Sequence, residues 1–359
     1  MRKIPVFEPE ITKDDVDYVT NILREGQISG RTNVVSLFEA SFAGYCGTDY
    51  GIAVNSGSSA LFLALKALDL GQGAKVIVPS FGYIAVPNAV IQAGYTPIFV
   101  DVEKTTGNLS LAELRRVLTK WSDIRGMVVI HTYGFPAKMR SIMKMAEDYE
   151  IKVIEDAAEA HGADIDGQKV GSFGHMGVFS FFANKTITTG EGGMVVTDDE
   201  VYANRVRLLK DQYAGPVRYY HEEMGYSLCM PSMSAALGIS QLSRIESILE
   251  AKRAMAAYYY RNLETNNVIP LVGDLESNPI WWAFGVLSAR RGELMDHLHQ
   301  YGIESRPFFT AYHNNPPYKL HHPQPNAEYL QTHGLYLPSS HSLTHKDQAY
   351  VCEVINDFR

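Results

Sequence analysis

The sequence has no run of 18 apolar residues, so no stretch of it is long and apolar enough to cross a bilayer as a helix. Cysteine is scarce. Cys46, Cys229 and Cys352 are odd in number and far apart, which argues against a disulfide framework and predicts a reducing compartment. Basic residues are in deficit, 32 lysines and arginines against 40 aspartates and glutamates, for a net charge of −8. That balance gives no general attraction to nucleic acid or to an anionic membrane. One positive pocket on a negative protein can still take an anionic small substrate. The opening Met1-Arg2-Lys3-Ile4-Pro5 leads into acidic residues without an apolar signal core, and a cytoplasmic protein is expected. What is present is globular: 359 residues, 46% hydrophobic and 20% charged, enough for a sizeable core and for two domains.

Thr12 and Asp15 have the spacing of an N-terminal capping box. Val16, Val19, Ile22 and Leu23 then mark one helical face, and Gly26 stops the helix. Seven short runs rich in Val, Ile and Phe follow: Tyr50–Val54, Val76–Pro79, Pro97–Val100, Met127–His131, Val153–Asp156, Val178–Phe182 and Met194–Thr197. They mostly lack polar alternation, as strands buried on both faces do. Helical stretches lie between most of them, and the one at 58–68 is apolar nearly all round. The alternation predicts a parallel sheet covered on both faces. Phe182 and Met194 break the pattern, because only a Gly-rich link joins them and a parallel crossover needs a dozen or more residues. These runs are either antiparallel neighbours or not neighbours. From Ser232 to Asn262 the pattern reads as one long helix. Trp281–Leu287 and Ile303–Phe308 read as strands around a helix at Glu293–Tyr301, and the proline-rich segment 314–326 reads as a loop. The domain boundary is expected near 240, dividing the chain into 1–240 and 241–359.

Three elements carry chemistry. The run Ile151–Asp156 ends in two carboxylates, which puts one of them at the carboxyl edge of the sheet, where ligands bind in open α/β folds. Taken alone it also reads as a helix cap. Ser56-Gly57-Ser58-Ser59 opens a buried helix, whose free N–H groups and dipole suit a phosphate. Taken alone it is an ordinary serine N-cap. Lys185 follows an apolar strand beside small residues. Desolvation there would lower its pKa and make it an imine-forming nucleophile, although a snorkelling structural lysine has the same pattern. Together the three supply an anion cradle, a carboxylate and an amine, the set that pyridoxal phosphate requires. Other chemistries fit poorly. Gly171–Gly177 has the wrong spacing for a dinucleotide fingerprint. His297 and His299 fall on different helix faces, His321-His322 sits among prolines, and His221-Glu222-Glu223 lacks a second histidine, so no metal site is expected.

With those residues in view, the chain resembles the DegT/DnrJ/EryC1/StrS sugar aminotransferases. The matching motifs span most of it. They include Asn55–Leu61, Val78–Tyr83, His131–Gly134, Glu155–Gly162 and Gly171–Gly174, and the most specific is Phe179–Met194. That stretch, with Arg218–His221 and Ile303–Phe309, is similar to the family's GDP-perosamine synthase branch. The resemblance implies a fold-type-I (aspartate-aminotransferase-like) α/β architecture. A large, mostly parallel α/β/α domain would be followed by a smaller C-terminal α+β domain.

The resemblance also implies roles. Lys185 is the imine-forming lysine and Asp156 the partner of the cofactor's ring nitrogen. Glu159 contacts the ring hydroxyl side. Gly57, Ser58 and Ser180 contact the phosphate, with a backbone amide of Ser59. Tyr83 stacks on the ring, and His313 lies in a stretch that meets the sugar. Glutamate would give its amino group to pyridoxal phosphate, leaving 2-oxoglutarate and pyridoxamine phosphate. The amine would then pass to carbon 4 of a GDP-4-keto-6-deoxymannose type substrate. Another nucleotide-linked ketosugar, an inosose, or a cofactor-binding regulator without turnover are the alternatives. The family's dehydratases carry histidine in place of the lysine, so Lys185 argues against that branch. The family builds each active site from two chains. Its Gly-Tyr-Asn-Tyr-Arg-Met segment sends the asparagine to the partner's cofactor phosphate. Here that segment is Gly225-Tyr226-Ser227-Leu228-Cys229-Met230, so Ser227 takes the asparagine's place and the arginine is lost.

Overall fold

A computed structural model describes residues 3–264, 266–274, 276–318 and 323–359. His321 and His322 lie outside these described residues. Twelve helices are used below: α1 (Lys13–Arg24), α2 (Asn33–Cys46), α3 (Gly57–Leu68), α4 (Ala85–Gln92), α5 (Leu111–Lys120), α6 (Met139–Asp148), α7 (Glu200–Lys210), α8 (Ser232–Ser243), α9 (Ile245–Asn262), α10 (Arg291–Gln300), α11 (Pro325–His333) and α12 (His345–Asn356).

The seven apolar runs form one sheet: β1 (Tyr50–Val54), β2 (Lys75–Pro79), β3 (Thr96–Val100), β4 (Ile124–Ile130), β5 (Lys152–Asp156), β6 (Met176–Ser180) and β7 (Gly193–Thr197). Its order is β1-β7-β6-β5-β4-β2-β3. β2, β3, β4, β5 and β6 pair in parallel, whereas β7 runs antiparallel to both β1 and β6. Phe179 faces Met194 in that register, so the two runs joined without a helix are antiparallel neighbours. Strand alternation sends side chains to two separate cores. Val128 and Ile130 of β4 join the cluster under α3, α4 and α7, while Met127 and Val129 join the one under α5 and α6. Both faces are thereby covered. α3 buries Leu61, Leu63, Leu65 and Leu68, and truncating such a residue to alanine costs about 2–5 kcal/mol.

The capping box of α1 is present, with Thr12 accepting from Asp15 N–H and the Asp15 carboxylate accepting from Thr12 N–H. The expected apolar stripe is only partly buried. Ile22 is covered, but Val16 and Leu23 are half exposed. Asp15 turns inward instead, where Gln241 Nε2 and Arg244 Nη2 donate to it at 2.9 and 3.1 Å. That cluster also explains a break in the expected long helix. Arg244 leaves helical geometry between α8 and α9 (φ −115°, ψ 14°), and its guanidinium pairs with Glu10 and Asp15.

A second, antiparallel sheet of order β8-β9-β11-β10 follows, made of β8 (Ile269–Pro270), β9 (Phe284–Leu287), β10 (Arg306–Pro307) and β11 (Gly334–Leu337). β9 begins at Phe284 rather than at Trp281, because Trp281 is left-handed (φ 44°) and cannot join the ladder. β10 is only two residues long. The segment expected as loop over 314–326 holds a turn of 3₁₀ helix at Pro316–Tyr318, and α11 starts at Pro325, where a proline at the first helical position is favourable.

Candidate active site

Ile130, Asp156 and Ser180, the last residues of three adjacent parallel strands, open into one cleft of about 440 Å3. The alternation of β5 separates the two carboxylates at its end. Glu155 is fully buried away from the cleft and accepts from the N–H groups of Gly171, Phe173 and Gly174 at 2.7–2.9 Å. His131 Nδ1 accepts from Ala137 N–H, which leaves its Nε2 proton to donate to Glu155 at 3.0 Å. Asp156 lines the cleft and accepts from Ala158 N–H at 3.0 Å. Burial raises its pKa, a shift opposed by that N–H and by the Lys185 charge. A buried carboxylate in this state wants a cation facing it.

The anion cradle is built by α3. Ser56 caps the helix by accepting from Ser59 N–H at 3.1 Å, and the Ser59 hydroxyl donates to Asn55 Oδ1 at 2.7 Å. Ser59 therefore spends its amide on the cap. The first two N–H groups of the helix, on Gly57 and Ser58, have no intrahelical acceptor, and both residues line the cleft. Ser180 Oγ accepts from Phe182 N–H at 3.3 Å, which leaves its own proton free to donate. Two amides, one hydroxyl and a helix N-terminus converge, as a phosphate requires.

The amine comes from the loop between β6 and β7. Phe182 O holds Lys185 N–H at 2.9 Å, and the Lys185 side chain is 11% exposed. Its Nζ lies 3.7 Å from Glu159 Oε1 and 4.1 Å from the centroid of the Trp282 ring. Burial lowers the lysine's pKa against the pull of Glu159 and Asp156. Glu159 turns its other oxygen to Tyr133 N–H at 2.9 Å, and burial pushes its pKa up to about 7. Tyr133 sits in the left-handed region (φ 55°), which aims that N–H at the carboxylate.

Tyr83 lines the cleft with an exposed ring 5.9 Å from that of Phe309, and its carbonyl accepts from Tyr312 OH at 2.9 Å. Three expected residues are absent from the lining of this cleft: Ser59, whose amide is held on the helix cap, Ser227 and His313. Ser227 is exposed and bridges to Asp211. His313 lies in a single turn, bonded through Nε2 to Glu328 at 2.9 Å. The opposite wall, for which no roles were expected, is Trp282, Arg306, Phe309 and Tyr336. Arg306 and Phe309 do fall within a family motif. Trp282 offered only one signal, its place in the pair Trp281-Trp282.

The family model for the DegT/DnrJ/EryC1/StrS aminotransferase family matches residues 9–356, and the chain belongs to that family. It is a sugar aminotransferase that uses pyridoxal phosphate, and the cleft suits that cofactor: an anion cradle, a buried acid awaiting a cation, and a desolvated amine. Among its relatives, GDP-perosamine synthase of Escherichia coli O157:H7 is 38% identical over 100% of this chain and 99% of its own length. The Vibrio cholerae GDP-perosamine synthase is 34% identical, with 99% of each chain covered. The solved structure of Streptomyces venezuelae DesV, in complex with a ketimine intermediate, superposes with a TM-score of 0.91 at 31% identity, covering 96% of this chain and 93% of that one. Its fold and that of this chain are the fold-type-I architecture.

Proposed function

We propose that this chain moves an amino group from glutamate to carbon 4 of GDP-4-keto-6-deoxymannose or a close analogue, giving GDP-perosamine and 2-oxoglutarate. The Lys185–Glu159 pair beside Asp156 carries the transamination chemistry. The choice of sugar is supported by full-length similarity to GDP-perosamine synthases. In this reading residues 1–240 and 241–359 are two domains flanking the cleft. The enzyme works in the cytoplasm as a homodimer with shared sites, and the half-exposed Val16, Leu23, Ile28 and Leu37 offer apolar surface to a second copy. Ser227 would serve the partner's cofactor phosphate.

When bound, pyridoxal phosphate supplies a carbonyl to carry the amino group and a ring that withdraws electrons. Gly57 N–H, Ser58 N–H and the Ser180 hydroxyl would hold its phosphate, and Tyr83 would cover its ring. Asp156 would face the ring nitrogen and keep a proton there. Glu159, near half-ionised at neutral pH, can hold a proton at its Oε1 toward Lys185. Lys185, with its pKa lowered by burial, can release and recapture a proton at Nζ. The Trp282 ring, 4.1 Å from Nζ, covers that amine against water.

Purified protein incubated with glutamate and GDP-4-keto-6-deoxymannose should release 2-oxoglutarate and an amino sugar nucleotide in equal amounts, read by mass spectrometry. Transfer to dTDP- or UDP-linked ketosugars with none to the GDP substrate would overturn the sugar assignment.

A further inference from the structure

Lys252 of α9 is 3% exposed, yet no carboxylate among the described residues lies within ion-pair distance of it. Its three ammonium protons are spent on three main-chain carbonyls: Ser339 at 2.8 Å, Trp282 at 3.2 Å and Trp281 at 3.3 Å. Burial pulls its pKa down to about 7. An isolated buried cation is costly, and an apolar side chain of equal length would suit the core better. The three carbonyls flank two neighbouring strands, since Trp281 and Trp282 lead into β9 and Ser339 follows β11.

The peptide so gripped is unusual. Trp281 is held left-handed (φ 44°), a costly conformation for an aromatic residue. Gly134 packs so tightly on it that a Cβ there would come 2.8 Å from Trp282 N and 3.0 Å from Trp281 N. The orientation of this peptide sets the Trp282 ring. That ring stacks on Phe7 at 4.9 Å, donates from Nε1 to Asn184 O at 2.7 Å, and lies against Lys185 Nζ. Other titratable groups facing the same space are His341, whose burial-lowered pKa also feels the Lys252 charge, Glu10, which accepts from His341 at 3.1 Å, and Glu8. Lys185 and Gln241 line the same small space.

We propose that Lys252 is a positioning residue for the transamination: by drawing the carbonyls of Trp281, Trp282 and Ser339 to one ammonium, it fixes the Trp282 indole against the Lys185 amine. The inference rests on Lys185 being the reacting amine, and not on the identity of the sugar.

The test is a double-mutant cycle on the chain without cofactor. The rate at which trinitrobenzenesulfonate labels Lys185, located by peptide mass mapping, is measured at pH 6, where Lys252 keeps its third proton, in wild type, Lys252→Met, Trp282→Phe and the double variant. Lys252→Met should label Lys185 at least threefold faster than wild type, because the indole no longer shields it. In the Trp282→Phe background the same substitution should change the rate by less than 1.5-fold. Iodide should also quench tryptophan emission more strongly in folded Lys252→Met. An unchanged rate in Lys252→Met overturns the inference, and so does a slower one, the sign of a direct charge effect on the Lys185 amine; an equal acceleration in both backgrounds overturns it too, because the opening would then not pass through the indole. If Lys252→Met does not fold, Lys252→Gln takes its place in the cycle with the same outcomes. None of these readings uses a sugar, so failure of the GDP-perosamine assignment leaves them intact.

Discussion

Gly57 and Ser180 touch across the mouth of the sheet: a Cβ on Gly57 would sit 2.7 Å from the Ser180 Cβ and 3.1 Å from its hydroxyl. The contact brings the first turn of α3 to the end of β6, so the amides and the hydroxyl meet at one point. Gly57→Ala should push them apart and weaken pyridoxal phosphate binding by tenfold or more, about 1.4 kcal/mol. Titration of the cofactor by fluorescence would measure it, and affinity within twofold of wild type would contradict the cradle.

Lys185 should be the point of covalent attachment. Borohydride treatment of the yellow, loaded enzyme should leave a pyridoxyl group on the Lys185 peptide, and Lys185→Ala should abolish turnover. A label found on Lys252 or Lys210, the other buried lysines among the described residues, would refute the assignment.

Asp156→Asn removes the charge that holds a proton on the ring nitrogen. kcat should fall by about 100-fold or more, equivalent to roughly 3 kcal/mol of barrier, with a smaller effect on cofactor affinity. A variant with near-normal kcat would eliminate this role.

Glu159 makes stability depend on pH with a definite sign. Its carboxyl loses its proton near 4.5 when unfolded but near 7 when folded, because burial disfavours the charge. Between those values the folded state binds the extra proton. The stabilisation is therefore full below pH 4.5 and is lost as pH rises through 7. In the chain without cofactor, Glu159→Gln should raise Tm above pH 7 by roughly 2–4 °C, as about 1 kcal/mol does in a large domain, and should bring little gain at pH 4.5. Parallel Tm–pH curves for the two proteins would count against the shift.

Ser227 is exposed on its own chain, as a residue serving a partner would be. Sedimentation should show at least a dimer. Ser227→Asn should tighten pyridoxal phosphate by about 0.5–1.5 kcal/mol, the net value of one hydrogen bond. A stable, active monomer would refute the shared site. Serine is shorter than asparagine by an amide, and unchanged affinity in the asparagine variant would refute only the idea that this shortening loosens the hold on the phosphate.

Much was legible locally. The Thr12–Asp15 capping box, the seven apolar runs and the buried α3 depend on residues within a turn or a strand of one another, so pattern and propensity identify them. The same holds for Gly57 and Ser58 at the start of α3, Asp156 at a strand end and Lys185 on the loop after one, whereas Ser180 entered through the family resemblance. Tertiary structure decided the rest. Whether Glu155 or Asp156 faces the cleft depends on the phase of β5 against its neighbours, because a shift of one residue exchanges the faces. The helix read as continuous from Ser232 breaks at Arg244, where Glu10 and Asp15 arrive from more than 200 residues away to pair with it. Trp282 read as part of a strand and Lys252 as an ordinary helical lysine. Only the packing of the two sheets brings the indole to Lys185 and three carbonyls to the ammonium, because such contacts join segments whose separation in sequence leaves no periodic trace.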